Sequence, residues 1–171
     1  MLGETHITTA DCMHILGALN LSQGKYNEAE SFLEKALVIM DQILGEENWA
    51  SLSIKNTKGK LYTAQNRHGD AVKLYYKTLD AQRRVLGDNY SYTLDSINSF
   101  AVLCMKQARY DDVERLFREA LEGRRLKLGD THPHTLESWN SLIDLYYKAW
   151  DKQEKAEEWR GKLPQTEAVD E

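Results

Sequence analysis

The dipeptide Leu-Gly recurs at a fixed interval along the chain. It stands at positions 2–3, 44–45, 86–87 and 128–129, so successive copies are 42 residues apart. Chance placement rarely gives three equal intervals, and self-similarity at a period of about 20 to 50 residues is typical of repeat architectures. We therefore expect an array of similar structural units, each of which packs on its neighbours.

Equivalent positions of the 42-residue blocks share residue character. One column holds Gly17, Gly59, Ala101 and Ile143, and another holds Leu19, Leu61, Leu103 and Leu145. Within a block, apolar positions step by three or four residues, first over one segment and then over a second segment. This spacing is that of an amphipathic α-helix, so each block predicts two helices.

Turn residues divide the blocks. The first helix of each block is predicted over residues 6–22, 48–65, 91–107 and 134–149. Glycine at the joint tolerates the left-handed conformation that ends a helix, and in the last joint Thr131 is expected to cap the next helix, with Pro133 in its first turn. The fold class predicted is all-α, an α-solenoid of about four antiparallel helical hairpins. Its repeats span approximately 2–43, 44–85, 86–127 and 128–164, followed by a polar tail at 165–171.

Two departures from the repeat pattern are visible. Lys55 and Lys58 occupy columns that are apolar in the other blocks. Because an unpaired ammonium is costly to bury, we expect their stems to lie along the core with the heads in water, in a locally irregular helix. Block four carries one extra residue in KAWDKQEKAEEW at 148–159, and its second helix is expected to stop before Pro164.

Composition narrows the function. A net charge of −5 and a pI near 5.6 argue against nucleic-acid binding, which usually requires a basic surface. No apolar run approaches the roughly 20 residues of a bilayer span. Cys12 and Cys104 are the only cysteines, and their separation suggests neither a disulfide framework nor a zinc site. We expect a cytoplasmic protein without membrane or nucleic-acid partners.

No catalytic pattern stands out. His132 and His134 form the only close pair of histidines, and their spacing differs from that of helical metal ligands one turn apart. The sequence has no phosphate-binding glycine loop, nucleophile elbow or zinc signature. We therefore predict that the protein is not an enzyme and binds no metal or cofactor.

Two stretches carry a family resemblance. Gly-Lys-Tyr-Asn-Glu-Ala-Glu at 24–30, followed by Ala-Leu at 36–37, resembles the tetratricopeptide repeat (TPR). The 42-residue period, with LGDTHPHTLESWNSLIDLY at 128–146 and REALEGRRLKLG at 118–129, is similar to the kinesin-light-chain type of this repeat. The resemblance covers nearly the whole chain and implies a right-handed superhelix whose first helices line a concave groove for protein or peptide partners.

The groove residues implied by the resemblance lie about 100° from the core stripe of each first helix. They are His14, Asn56, Lys60, Asp95, Asn98, Val102, Met105, Lys106, Glu137, Asn140, Asp144, Tyr147 and Lys148. One column of this set, Asn56, Asn98 and Asn140, supplies one amide per repeat. An asparagine amide can donate to and accept from an extended peptide backbone. The alternative is that these asparagines cap or brace the neighbouring hairpin.

Charge and apolar surface on this face are also patterned. Asp11, Asp95 and Glu137 lie near helix starts, whereas Lys60, Lys106 and Lys148 lie further along the same face. This gradient can orient a charged ligand, or it can simply be a solvated rim. Apolar side chains that can accept those of a bound segment are Leu21, Val102, Met105 and Tyr147.

Two function classes follow from these patterns. The leading prediction is a protein-interaction module that binds an extended peptide in the concave groove, as a scaffold or adaptor part of a larger protein. The alternative is a structural or oligomerising array that stacks end to end, with self-association through the exposed N-terminal repeat and no peptide ligand. Because Met1 directly precedes a Leu-Gly joint, the chain is expected to be a fragment of a longer array.

Overall fold

A computed structural model describes residues 6–164, so the first Leu-Gly joint and the predicted tail at 165–171 lie outside the described residues. The helices are α1 (Ile7–Ser22), α2 (Tyr26–Leu44), α3 (Trp49–Ala64), α4 (His68–Leu86), α5 (Ser91–Lys106), α6 (Tyr110–Leu128), α7 (Pro133–Asp144) and α8 (Gln153–Gly161). A π-helical turn, Leu145–Ala149, follows α7. Residues 6–164 contain no strand, which confirms the predicted all-α fold of four hairpins.

The helices form two compact units, divided between Gly87 and Asp88. The first unit holds the hairpins α1–α2 and α3–α4, and α2 packs on α3. The second unit holds the hairpins α5–α6 and α7–α8, and α6 packs on α7. In each unit, therefore, the second helix of one hairpin covers the first helix of the next.

Small residues allow the two helices of a hairpin to approach closely. A Cβ atom on Gly17 of α1 would lie 2.7 Å from Cγ of Leu33 in α2. A Cβ atom on Gly59 of α3 would lie 2.7 Å from Cζ of Tyr75 in α4. Because interiors are close-packed, a larger residue at either position would push the helices apart.

The Leu-Gly joints end the second helices. Gly45, Gly87 and Gly129 have φ of 90°, 93° and 88°, with ψ of 155°, 160° and 167°. Positive φ confirms the need for glycine, but the conformation differs from the left-handed helical one that we expected. It is the extended positive-φ region, which is essentially restricted to glycine and carries the chain directly away from the helix.

The expected cap of α7 is wrong. Nδ1 of His132, not the hydroxyl of Thr131, accepts a hydrogen bond from the backbone N–H of His134 at 3.2 Å. Pro133 occupies the first turn, as predicted. His6 and Asn48 stand at the equivalent positions before α1 and α3 and cap them in the same way. The 42-residue register therefore identifies the capping position. General residue preferences miss the two histidine caps, because histidine is not among the preferred N-cap residues.

The extra residue of block four is confirmed. Gly24, Asn66 and Ala108 turn the first three hairpins with positive φ and are spaced by 42 residues. The next such residue is Asp151, which lies 43 residues after Ala108. The backbone N–H of Trp150 donates to the carbonyl of Leu145 at 2.9 Å, five residues earlier. A π-helical turn of this kind absorbs one inserted residue without ending the helix.

The two lysines of α3 are half-buried, and their ammonium groups make contacts near the surface, a pairing that the sequence alone does not predict. Nζ of Lys55 donates to the carbonyl of Glu46 at 2.7 Å, and Nζ of Lys58 donates to Oε1 of Glu34 at 3.1 Å. Burial opposes the charge of Lys58, but Glu34 and Tyr62 together outweigh it and raise the pKa of the lysine. The helix α3 is also regular throughout, so the expected irregularity is wrong.

Candidate functional site

Three predicted groove residues, His14, Asn56 and Lys60, belong to the first unit. Nε2 of His14 lies 2.9 Å from Oγ1 of Thr57, so this half-buried side chain links α1 to α3. Burial lowers the pKa of His14, while the charge of Asp11 raises it and that of Lys60 lowers it further. Lys60 itself is exposed.

Asn56 is the most buried of the three asparagines, with 8% of its surface exposed. Its Oδ1 atom has no hydrogen-bond donor among residues 6–164. A buried amide oxygen without a donor is uncommon in folded proteins and calls for an explanation. The position therefore combines core packing with an unused acceptor.

The other ten predicted groove residues lie in the second unit. Helix α5 carries Asp95, Asn98, Val102, Met105 and Lys106, helix α7 carries Glu137, Asn140 and Asp144, and the π-helical turn carries Tyr147 and Lys148. Asn98 is half-buried, and its Oδ1 lacks a donor within the described part of the chain, whereas Asn140 is exposed. The asparagine column thus becomes more exposed from Asn56 to Asn140.

Arg124 of α6, which sequence reasoning missed, organises the charges of this face. Its side chain is 4% exposed. Nη2 donates to Oδ1 of Asp95 at 2.7 Å, and Nη1 donates to the carbonyl of His134 at 3.0 Å and to Oγ of Ser138 at 2.6 Å. Glu137 places Oε2 at 3.8 Å from Nη1. One buried guanidinium therefore joins α5, α6 and α7 and brings two predicted groove carboxylates together.

A sequence signal for Arg124 exists in the repeat register. Met40 and Gln82 stand at the equivalent positions of the first two blocks, and both are buried. A charged residue in a column that is otherwise internal requires partners, since an unpaired buried charge is strongly unfavourable. The alignment thus indicates a buried cation, but only the fold shows that Asp95 is its partner.

The acidic residues of this face are neutralised within the protein. Asp95 faces Arg124, and Oδ1 of Asp144 lies 2.9 Å from Nζ of Lys148, one helical turn away. Lys106 is exposed and has no ion-pair partner among the described residues. The sequence predicts separate acidic and basic regions on this face. In the structure, the acidic side chains are instead paired within the protein, and Lys106 is left without an ion-pair partner.

Apolar side chains remain accessible on the same face. Val102 of α5 and Tyr147 of the π-helical turn are both exposed, and Met105 is half-buried. The guanidinium carbon of Arg160 in α8 lies 5.1 Å from the ring centre of Tyr147, a cation–π contact that leaves much of the ring in solvent. Aliphatic, thioether and aromatic surfaces are thus available beside the amide of Asn98.

Within residues 6–164, the structure shows no group of three or more His, Cys, Asp or Glu side chains that could hold a metal ion. No described helix is both long and apolar enough to cross a membrane. An open pocket of about 380 Å³ lies in the first unit, beside the α2–α3 connection and α4, lined by carboxylates and cations including Glu47, Lys77 and Arg84. None of the predicted groove residues lines it.

Comparison with known proteins identifies the repeat. Two family models, both described as tetratricopeptide repeat, match residues 9–50 and 50–125. Together they cover well over half of the chain. A comparison with curated proteins finds no match.

Solved structures share the fold at low sequence identity. BtubC (BKLC) from P. vanneervenii is 20% identical with a TM-score of 0.73, over 95% of this chain and 69% of that one. The kinesin light chain with nearly identical TPR-like repeats from Podosopora anserina is 20% identical with a TM-score of 0.79, over 96% of this chain and 81% of that one. A variant of the Podosopora anserina protein gives 22% identity and a TM-score of 0.79, over 92% of this chain and 74% of that one.

Proposed function

Because the chain belongs to the tetratricopeptide repeat family, a family of protein-interaction and scaffold modules, we propose that it binds an extended peptide along its first helices. The proposed contact surface is the face of α5, α7 and the π-helical turn in the second unit. The amides of Asn98 and Asn140 hold the peptide backbone, and apolar side chains of the peptide pack on Val102, Met105 and Tyr147.

The observation that carries this proposal is the unused acceptor of Asn98. The side chain is half-buried, and its Oδ1 atom, which is shielded from solvent, has no donor among the described residues. If Asn98 braced a neighbouring hairpin, the amide oxygen would be expected to accept a hydrogen bond from that hairpin. A peptide N–H supplies the missing donor after a rotation of the side chain, while the amide NH₂ group donates to the peptide carbonyl.

Specificity in this proposal rests on apolar contacts rather than on charge. Since Asp95 and Asp144 already face Arg124 and Lys148, they offer little attraction to a cationic peptide. The exposed lysine Lys106 favours a ligand with an acidic residue at one end. We therefore propose a peptide with two or more apolar residues and an acidic residue beside them.

The experiment is a selection with a library of random peptides displayed on phage, using the full chain as bait. The Asn98→Ala, Asn140→Ala double variant serves for counter-selection. Selected peptides are synthesised with a fluorophore, and their affinities are measured by fluorescence polarisation. Each lost asparagine contact should weaken binding by roughly 0.5 to 1.5 kcal/mol, the net value of an ordinary hydrogen bond.

Near-additive losses at the two positions predict that the double variant binds on the order of fivefold to a hundredfold more weakly. Asn27→Ala, on the exposed surface of α2, is the matched control and should bind normally. Thermal melts separate binding from bracing: if the double variant loses many degrees while its folded fraction binds normally, the asparagines are structural and the proposal fails.

A further inference from the structure

The open pocket of the first unit has a polar lining that the fold itself does not use. We call this pocket, which is lined by the α2–α3 connection, α3 and α4, the α4 pocket. Leu52 of α3 and Leu74 and Ala81 of α4 supply its apolar wall. Its volume of about 380 Å³ lies at the small end of the range of roughly 300 to 1,000 Å³ found for small-molecule sites, so it suits a ligand of metabolite size.

Thr78 contributes a buried hydroxyl to the lining of the α4 pocket. The residue is 1% exposed, and its Oγ1 atom has no hydrogen-bond partner among residues 6–164. Ala36 and Ala120, both 0% exposed, stand at the equivalent positions of the first and third blocks, so this column packs without a hydroxyl. A buried hydroxyl without a partner is unfavourable. A ligand that bonds to it after a rotation about χ1 would account for its presence.

Two cations of the lining are already paired within the protein. Nη2 of Arg84 lies 2.5 Å from Oε1 of Glu47, and this hydrogen bond lowers the pKa of Glu47 and raises that of Arg84. Nζ of Lys55 donates to the backbone carbonyl of Glu46 at 2.7 Å and lies 3.7 Å from Oδ1 of Asp41. These two groups therefore have little attraction left for a ligand.

Three other charged side chains of the lining make no ion pair among residues 6–164. They are the ammonium of Lys77 and the carboxylates of Asp80 and Glu46, and all three residues are exposed. Asp80 raises the pKa of Arg84 through its charge but forms no ion pair with it. Lys77 and Asp80 are three positions apart in α4, so they lie on the same side of the helix. A complementary ligand therefore carries one carboxylate and two cationic groups.

We propose that the α4 pocket binds a free basic amino acid, lysine or arginine. The α-carboxylate of the ligand pairs with Lys77, its α-ammonium pairs with Asp80, and its side-chain cation pairs with Glu46. The methylene groups of the ligand pack on Leu52, and the hydroxyl of Thr78 donates to the α-carboxylate. The site is independent of the proposed peptide face, since none of the predicted groove residues lines it.

The free charges disfavour other ligands of similar size. Inorganic phosphate would meet one unpaired cation and two carboxylates that repel it, and a diamine would leave Lys77 unpaired. A lysine at the end of a peptide lacks either the α-ammonium or the α-carboxylate. A free basic amino acid is thus the ligand that pairs with every unpaired charge of the pocket.

The repeat register assigns this polar lining to the second block. In the third block, the positions of Lys77, Thr78 and Arg84 are taken by Glu119, Ala120 and Leu126. The equivalent surface of the second unit therefore lacks the free ammonium, the hydroxyl and the guanidinium. Two hairpins that share a fold thus differ in the groups that would hold an amino acid.

The first experiment titrates the ¹⁵N-labelled full chain with L-lysine and L-arginine and follows the amide shifts by NMR. The largest shifts should fall in α4 around residues 77–81 and in the α2–α3 connection. Norleucine lacks the side-chain cation, Nα-acetyl-lysine lacks the α-ammonium, and cadaverine lacks the carboxylate. Each of these three compounds should bind at least about threefold more weakly than lysine, because each leaves one charge of the pocket unpaired.

The second experiment measures lysine binding by variants of the pocket. Thr78→Val keeps the shape of the side chain but removes the hydroxyl, so binding should weaken about twofold to tenfold. Without ligand its melting temperature should equal or exceed that of the wild type, because an unpaired buried hydroxyl is lost. Lys77→Ala should weaken binding about threefold or more. The matched control Lys73→Ala, at an exposed lysine of α4 outside the pocket, should bind like the wild type.

These outcomes decide the proposal. It is overturned if no shift appears up to about 10 mM lysine, if the shifts lie outside the pocket, or if Nα-acetyl-lysine or norleucine binds as tightly as lysine. A Thr78→Val variant that binds normally but melts at a lower temperature shows a structural hydroxyl and also overturns it. Binding that is weakened in both pocket variants, is kept in Lys73→Ala and requires all three charges of the ligand establishes the site. None of these results depends on the peptide selection described above.

Discussion

The α2–α3 interface of the first unit and the α6–α7 interface of the second unit join equivalent helices by different chemistry. In α3, Lys55 and Lys58 face α2 and pair with Asp41, Glu34 and the carbonyl of Glu46. In α7, the same two columns hold Trp139 and Leu142, which are buried. One interface therefore places two ammonium groups where the other places an indole and an isobutyl group.

The difference shows which columns require one residue type in every block and which accept different residue types. Leu61 and Leu145 are fully buried in both interfaces, and these positions stay leucine in every block. The neighbouring columns accept a lysine when the preceding helix supplies a carboxylate within reach, since pairing removes most of the cost of burial. The second unit instead uses a buried charge from the other side of the interface, Arg124 of α6.

The largest expected effect tests the apolar interface. Leu142→Ala should lower the free energy of unfolding by about 2 to 5 kcal/mol, the usual range for truncating a buried leucine. Lys58→Ala, in the same column, should lower it by less than about 1 kcal/mol, because pairs with an exposed carboxylate contribute little. Urea unfolding followed by circular dichroism gives both values. Equal losses in the two variants would show that column position, not chemistry, determines the stability of the interface.

The second prediction concerns Arg124. Arg124→Met keeps much of the buried side-chain volume but removes three hydrogen bonds, to Asp95, Ser138 and the His134 carbonyl. We expect a loss of about 1.5 to 3 kcal/mol in urea unfolding, the value of a hydrogen bond to a charged group, because Asp95 and the groups near the surface regain water. Arg124→Lys should recover only part of this loss, since an ammonium cannot reproduce the forked geometry.

A contrary result for Arg124 is informative. If Arg124→Met is as stable as the wild type or more stable, the desolvation penalty of the buried guanidinium is at least as large as the stabilisation from its hydrogen bonds and ion pairs. Its role would then be to position α5 and α7. The variant would bind the peptides selected under the proposed function more weakly than the wild type does, without a loss of fold stability. The two measurements together separate stability from positioning.

The sequence predicts this fold well because the repeat is periodic. The helix pairs, the close contacts at Gly17 and Gly59, and the extra residue of block four all follow from comparing columns 42 residues apart. What it misses depends on partners that are distant in sequence. Lys58 pairs with Glu34, 24 residues away in sequence, and the buried Arg124 pairs with Asp95, 29 residues away. For the candidate site, the column register predicts which residues share a face, whereas the pairing of Asp95 with Arg124 depends on the fold.

The third prediction gives the α2–α3 interface the residue found at the equivalent position of the α6–α7 interface. Lys58→Leu puts a leucine in α3 at the position that corresponds to Leu142 of α7, where it meets the apolar part of the α2–α3 interface. The free energy of unfolding should stay within about 1 kcal/mol of the wild type or rise, because the pair of Lys58 with the exposed Glu34 contributes little and the leucine adds apolar contact. Added salt should affect the wild type more than the variant. A loss above about 2 kcal/mol would mean that the Lys58–Glu34 pair is a specific stabilising contact.

The smallest expected effect is a pH dependence in the first unit. His14 stands in the column of Asn56, Asn98 and Asn140, and burial lowers its pKa below the value of 6.5 that applies to the unfolded chain. Above pH 6.5 the imidazole is neutral in both states, so its contact with Thr57 contributes fully. As the pH falls below 6.5, the unfolded state binds a proton before the folded state does, and stability declines until the folded-state pKa is passed. His14→Asn installs the residue of the other three blocks and removes the titrating group. Urea unfolding of both proteins between about pH 7.5 and 5 gives the difference in stability at each pH. The wild type should lose stability relative to His14→Asn as the pH falls. A difference that stays constant with pH would show that His14 does not resist protonation in the folded protein.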